Sequence, residues 1–327
     1  MAADSSRDKQ PLIETIGLCK NFGPTIALKS VDLKIYGGQI TGLIGENGSG
    51  KSTISSIIAG MQPASSGEMY YNGKVHAPKT MIEGGMAGIG MVVQEQGYVP
   101  NISIARNIFL GVENNFRKHG IISRGEMNRK AAEILQRIGL ENIDPSMLID
   151  RLDLQDRKLI EIARVMASDP DVLIIDETTT ALSHHGREIT YDIMRKMRGD
   201  GKAVIFISHD LDELMETCDT LSVLRDGVLI VNLSSDEFDS SLIKSHMVGR
   251  DMGDKYYRED YEDKVPDDIV LKADKITTAS GLLMNFSLEV HRGEILGIGG
   301  LSHCGMHELG RALFGAERLL TGTVEHV

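Results

Sequence analysis

Residues 45–53 read GENGSGKST, and this stretch decides the fold. It follows the apolar run ITGLI at 40–44 and opens a run in which Ile54, Ile57 and Ile58 fall at helical spacing. From Gly45 to Ser52 the residues match the pattern Gly-x-x-x-x-Gly-Lys-Ser/Thr. Glycines at these places let backbone N–H groups turn toward an anion at a helix N-terminus. The lysine at 51 then reaches the β- and γ-phosphates of a nucleotide, and the Ser52 hydroxyl is a ligand for Mg²⁺. The strand before the loop and the helix after it are the context this chemistry requires.

Outward from the loop, apolar runs recur at GMVVQ (90–94), VLIID (172–176), AVIFIS (203–208) and LSVL (221–224). Several are apolar throughout, as strands buried on both faces of a largely parallel sheet are. Helical spacing lies between them, at Ala131, Ile134, Leu135 and Ile138 and at Leu159, Ile162, Ala163 and Met166. Alternating strands and helices predict an α/β sheet that binds ligands at the strand carboxyl ends.

Composition narrows the class. The chain has 327 residues, 41% hydrophobic and 25% charged, with a formal net charge of −12 and no tryptophan. Its cores must therefore be aliphatic. No Lys/Arg run supplies the basic footprint that sequence-independent nucleic-acid binding needs. Cys19, Cys218 and Cys304 show no CxxC spacing and fit a reducing compartment. The polar start, MAADSSRDKQ, lacks a signal peptide's apolar core, and no stretch reaches the length of a membrane span. A soluble, cytoplasmic chain with at most a peripheral membrane role is expected.

Two further strand ends carry chemistry. VLIIDE at 172–177 ends in adjacent acids: Asp176 can hold Mg²⁺ through water, and Glu177 can polarise an attacking water. AVIFISHD at 203–210 delivers His209 to a neighbouring strand end, where phosphates would lie.

The chain also echoes itself. IALKSVDLKIYGGQITGLIGENGSGKS at 26–52 aligns with LLMNFSLEVHRGEILGIGGLSHCGMHE at 282–308, each giving strand, Gly turn, strand and Gly-rich loop. SGEMYYNG at 66–73 corresponds to where the second copy ends, at GTVEHV. The second copy has no lysine in the place of Lys51. The charged, non-periodic segment DMGDKYYREDYEDKVP at 251–266 reads as a linker.

Taken together, the phosphate loop, Gln94 after GMVV, VLIIDE, TALS and ISHDLDE follow the order of an ATP-binding cassette (ABC) ATPase. The chain resembles the tandem-cassette ATPases of bacterial sugar importers, the ribose/galactose/xylose type. The likeness extends through VVQEQGYVPNISIARNIFLG (92–111), LSVLRDGVLIV (221–231) and SLIKSHMVGRDM (241–252). It implies a P-loop NTPase of the ABC ATPase type, with a RecA-like core, an antiparallel β subdomain and a helical subdomain at about 95–168. The implied layout is a polar tail at 1–10, a first cassette at 11–250, the linker at 251–266 and the partial start of a second cassette at 267–327.

The resemblance also implies roles. Phe22, in KNFG, stacks on adenine. Gly45, Asn47, Gly48, Gly50, Lys51, Ser52 and Thr53 hold phosphates and Mg²⁺. Gln94 senses Mg²⁺ and the attacking water, and Asp176 supports the metal. Glu177 is the catalytic base and His209 the γ-phosphate switch. Implied cofactors and partners are ATP, Mg²⁺, membrane permease subunits docking near 95–115, indirectly a solute-binding protein, and a second cassette in cis or trans. Nucleic acid is not among them. The site of action is the cytoplasmic face of the membrane, as a peripheral subunit. The function implied is powering import of a sugar or similar small solute. The alternatives are a truncated or regulatory cassette that hydrolyses poorly alone, and a soluble ABC ATPase of translation or DNA repair.

Three departures qualify the resemblance. The signature motif, LSGGQ-like in the family, reads LDLQDRK at 152–158, with Asp153 for the serine and Gln155 for the glycine. An aspartate there faces a triphosphate, and like charges repel when desolvated. Thr178 stands where the family has proline, a change expected to be minor. The second cassette is partial and lacks the lysine. The first and third departures fall on the same composite site, so one catalytic and one degenerate site per paired assembly are expected.

Overall fold

The computed structural model describes residues 10–93, 97–118, 120–249, 267–300 and 304–326. The predicted linker and Gln94 lie outside them. Two compact units divide between Met252 and Gly253.

The first unit begins with the hairpin β1 (Ile13–Phe22) and β2 (Thr25–Ile35), then β3 (Ile40–Ile44) and helix α1 (Lys51–Ile58). β4 (Ser66–Tyr71) and the short β5 (Lys74–Val75) complete an antiparallel sheet of order β2-β1-β4-β5. α2 (Met81–Met86) leads into β6 (Ile89–Val92). A helical section follows: α3 (Ile104–Ile108), the minimal hairpin β7 (Arg117–Lys118) and β8 (Ile121–Ile122), α4 (Arg124–Arg137) and α5 (Leu154–Met166). The chain then returns to the core through β9 (Val172–Asp176), α6 (His184–Gly199), β10 (Ala203–Ile207), α7 (Leu211–Thr217), β11 (Thr220–Arg225), β12 (Val228–Ser234) and α8 (Ser240–Val248).

All five apolar runs become parallel strands of one sheet, order β12-β11-β3-β10-β9-β6, with β12 antiparallel at its edge. Their burial explains their composition. Ile40, Ile44, Leu173, Ile175, Val204 and Phe206 face one core, shared with α3 to α6. Leu43, Val172, Ile174, Ala203, Ile205 and Ile207 face the other, shared with α1 and the antiparallel sheet. Successive residues point to opposite faces, so a strand covered on both sides needs apolar residues at every position.

Helix α5 is more polar within than its apolar stripe suggests. The Lys158 ammonium and the Glu161 carboxylate, 8% and 7% exposed, pair at 2.8 Å. Lys158 also donates to the Val93 carbonyl, and Glu161 accepts from the Gly97 N–H at 2.7 Å. Arg164 donates to the Gly97 and Asn107 carbonyls. One helix therefore grips residues 93 and 97, on either side of the predicted Gln94.

The second unit repeats the start of the first. β13 (Ile269–Thr278), β14 (Phe286–His291) and β15 (Leu319–His326) form an antiparallel sheet of order β14-β13-β15, matching β2-β1-β4, and α9 (Met306–Phe314) matches α1. Positive-φ residues fix the register: Ser30 and Asn285, Gly38 and Gly293, Gly50 and Gly305, and Gly67 and Gly322 pair at a spacing of 255. The sequence alignment of 26–52 with 282–308 is therefore one residue out. Met306 takes the place of Lys51. A second expectation also fails. The run EILGIGG at 294–300, the counterpart of β3, is not a strand, and Ile295 is 85% exposed. β3 is held between β10 and β11, and among the described residues this unit has no strand to flank its counterpart.

Removing one partner of a buried ion pair strands the other charge, at a cost of about 3 kcal/mol. Glu161→Leu is therefore expected to lower stability in urea unfolding by about that amount. An unchanged midpoint contradicts the pairing of Lys158 with Glu161.

Candidate active site

The site is built where β3 ends. Five buried residues deliver the chain to Gly45, and α1 begins at Lys51. Between them the loop is shaped by contacts that leave no room for side chains. A Cβ on Gly45 would lie 2.1 Å from the Leu224 carbonyl oxygen, and one on Gly50, at φ +106°, 2.7 Å from Leu28 Cδ2. Gly48 differs: a Cβ there would meet open space. No side chain caps the start of α1, so its first N–H groups have no side-chain acceptor at the cap.

Lys51, buried, turns back on the loop and donates to the carbonyls of Gly45 at 2.7 Å and Glu46 at 3.1 Å. Burial pushes its pKa below the usual lysine value, against the opposing pull of Glu177 and Asp176. Ser52 Oγ lies 3.4 Å from Asp176 Oδ1. Burial raises the Asp176 pKa above the usual carboxylate value, Ser52 and Lys51 oppose the rise and Glu177 adds to it. A hydroxyl and a carboxylate meeting at a phosphate loop are hard oxygen donors of the kind Mg²⁺ takes, so the residues fit that metal. Ser49 Oγ, also buried, is without a hydrogen-bond partner in the loop.

Glu177 follows directly on β9 in a left-handed conformation, φ +43°. That conformation is uncommon for a non-glycine residue and is stored where the surroundings enforce it. Here its N–H is tied to the Ile207 carbonyl at 3.0 Å, the residue that pairs with Asp176 in the ladder. His209 stands two residues beyond Ile207, exposed. Thr178 is buried at φ −75° with its hydroxyl on the Asp176 carbonyl, so it holds the φ a proline would impose.

Lys51, Ser52, Asp176 and Glu177 thus converge, with His209 on the adjoining strand end. Asn47 is exposed on the loop, and Thr53 is in the first turn of α1. Phe22 is half exposed at the β1–β2 hairpin, with the Lys20 ammonium 5.1 Å from its ring.

Known proteins resemble this chain in sequence and fold. The family model described as ABC transporter covers residues 28–180. The fold of this region is that of an ABC ATPase cassette. Ribose import ATP-binding protein RbsA of Chromobacterium violaceum is 34% identical over 309 residues, 94% of this chain and 60% of that protein. Ribose import ATP-binding protein RbsA 1 of Rubrobacter xylanophilus is 36% identical over 315 residues, 96% and 62%. The chain thus spans about three-fifths of the length of these relatives. Among solved structures, an ATP-binding cassette of an ABC transporter aligns at TM-score 0.64 and 25% identity over 74% of this chain and 98% of its own. A dimeric bacterial ABC transporter cassette aligns at 0.60 and 25% over 69% and 100%.

In this cassette fold the stretch LDLQDRK has a local structural role. Asp153 is the N-cap of α5 and accepts from the Asp156 N–H at 2.8 Å. Gln155 Oε1 accepts from the Ser183 N–H at 2.8 Å, tying α5 to the N-cap of α6. Burial, then Asp153, raises the pKa of Asp156. Two carboxylates therefore crowd the N-terminus of α5. Sequence reading missed Lys158, Glu161 and Arg164, and it quoted Glu213 in ISHDLDE without giving it a role. Each acts on residues far along the chain, and local spacing carries no signal of that.

The raised Asp176 pKa has a sign. A group whose folded pKa is raised favours the fold below its unfolded pKa and loses that contribution as pH climbs through the folded value. Near neutral pH the fold is therefore less stable for carrying the Asp176 charge. Asp176→Asn is expected to raise the unfolding midpoint at pH 7.5, with an advantage that shrinks as pH falls toward about 4, the ordinary aspartate range. Equal midpoints at both pH values contradict this account.

Proposed function

We propose that this chain is the ATP-binding and hydrolysing subunit of an importer for a sugar or similar small solute. The carrying observation is the meeting of Lys51, Ser52 and Asp176 at the end of β3, with Glu177 held beside them. The printed names of the relatives support import of ribose or a like solute and speak against a purely regulatory cassette. Membrane permease subunits are the direct partners, approached near 95–115, and a solute-binding protein is the indirect one. The chain acts as a peripheral subunit on the cytoplasmic face. No helix among the described residues is long and apolar enough to cross a membrane.

In this reading residues 11–250 are the first cassette and 267–327 the beginning of a second. Phe22 stacks on adenine. The N–H groups from Gly45 to Thr53, with Asn47, Gly48 and Gly50 among them, receive the phosphates. Lys51 leaves its loop carbonyls for the β- and γ-phosphate oxygens. Ser52 and Asp176, with Gln94, hold Mg²⁺, which when bound neutralises charge on the β- and γ-oxygens. Glu177 accepts the proton of the water that attacks the γ-phosphorus in line, ADP departs, and His209 contacts the transferred phosphoryl group.

A second cassette completes the site. Lys51, Glu177 and His209 equip one composite site of the pair. In the second unit Met306 takes the place of lysine, and the α5 N-terminus of the first already holds Asp153 and Asp156. Phosphate is disfavoured there by charge, so one site is catalytic and one degenerate.

The test is Mg·ATP hydrolysis across protein concentrations, beside Glu177→Gln and Lys51→Ala. Turnover is expected to fall at least about 100-fold in Glu177→Gln with nucleotide still bound. Lys51→Ala is expected to lose nucleotide binding. Turnover per chain that rises with concentration means the chain pairs with itself. Hydrolysis by either variant at the wild-type rate overturns the proposal.

A further inference from the structure

The Glu213 carboxylate lies in the first turn of α7 and is buried, 8% exposed. Among the described residues it is hydrogen-bonded by three hydroxyls and pairs with no lysine or arginine. Ser208 Oγ donates to its Oε2 at 2.5 Å, and Thr179 Oγ1 donates to the same oxygen at 3.1 Å. The Tyr191 hydroxyl, from α6, donates to Oε1 at 2.6 Å. Ser208 and Thr179 are themselves 0% and 1% exposed. A buried carboxylate satisfied only by neutral donors is a costly thing to keep in an interior where a leucine would pack, so its placement calls for a reason.

The reason lies in what its partners adjoin. Thr179 is two residues past Glu177, in the turn that holds Glu177 at positive φ. Ser208 directly precedes His209, and its Oγ also accepts from the Asp210 N–H at 3.0 Å. One oxygen atom, Oε2, therefore joins the segment behind Glu177 to the segment behind His209. The main chain makes the same junction once, through the Glu177 N–H on the Ile207 carbonyl. α7 is anchored without Glu213: its N-cap Asp210 accepts from the N–H groups of residues 212 and 213, and Leu211 and Leu214 are buried.

We propose that Glu213 is a positioning residue that locks the Glu177 turn and the His209 strand end into one unit through its shared carboxylate oxygen. The inference rests on the reading of Glu177 and His209 as the hydrolytic pair. Leucine fills the same space and accepts no hydrogen bond, so it breaks the junction.

Hydrogen exchange on the intact chain tests the lock without requiring turnover. In Glu213→Leu the Glu177 and Asp210 amides are expected to exchange faster together, while the amides of β9 and β10 keep their protection. In parallel, kcat for ATP is expected to fall about tenfold with KM within about threefold, the signature of misplaced groups and not of lost binding. Thr179→Val, which removes one hydroxyl and keeps the shape, should reproduce both effects more weakly, and it serves if the first variant does not fold. Faster exchange confined to one of the two segments, or loss of kcat only in proportion to unfolded protein, overturns the proposal. Coupled exchange in a wild-type chain that turns over no ATP would leave the lock standing and count against the proposed hydrolysis.

Discussion

The arrangement depends on one buried lysine. Lys51 sits at the junction of a wholly buried strand and an uncapped helix, with its ammonium folded onto the Gly45 and Glu46 carbonyls and two acids nearby. Burial disfavours its charge, and burial likewise disfavours the charge of Asp176 across the site. Lysine and aspartate partly offset one another, but each is held against its preference for water. The loop's contacts with Leu28 and Leu224 fix its shape, and in the proposed function Mg·ATP would bring an anion to the lysine and a cation to the aspartate.

Around that centre, elements distant in sequence carry the geometry. α5 grips residues 93 and 97 through a buried Lys158–Glu161 pair and Arg164. Glu213 joins the turn after β9 to the end of β10. The same helix α5 begins with Asp153 as its own cap, so the polar start of α5 is committed to the helix before any partner arrives. In LDLQD, then, the first carboxylate has a local role as the cap of the helix it begins.

Much of this was legible in the sequence, because the physics that wrote it is local. Strands covered on both faces must be apolar throughout, and ITGLI, VLIID and AVIFIS read as such. A phosphate loop needs its glycines and lysine at fixed spacing. What was not legible is pairing at long range. Nothing in ISHDLDE says that its last glutamate meets Thr179 and Tyr191. The internal repeat was visible, but apolar alignment tolerates a slip of one residue, and only the positive-φ positions fixed the spacing at 255. EILGIGG has the composition of β3 yet forms no strand. A central parallel strand is defined by its neighbours, which its own sequence cannot supply.

The most direct test of the proposed site is the unfolding midpoint of the intact chain titrated with ATP, with and without Mg²⁺. Ligand that binds only the folded state stabilises in proportion to the logarithm of its concentration. The account expects a midpoint that climbs with Mg·ATP and climbs far less with ATP in excess EDTA. A midpoint indifferent to Mg·ATP at millimolar concentration would contradict it.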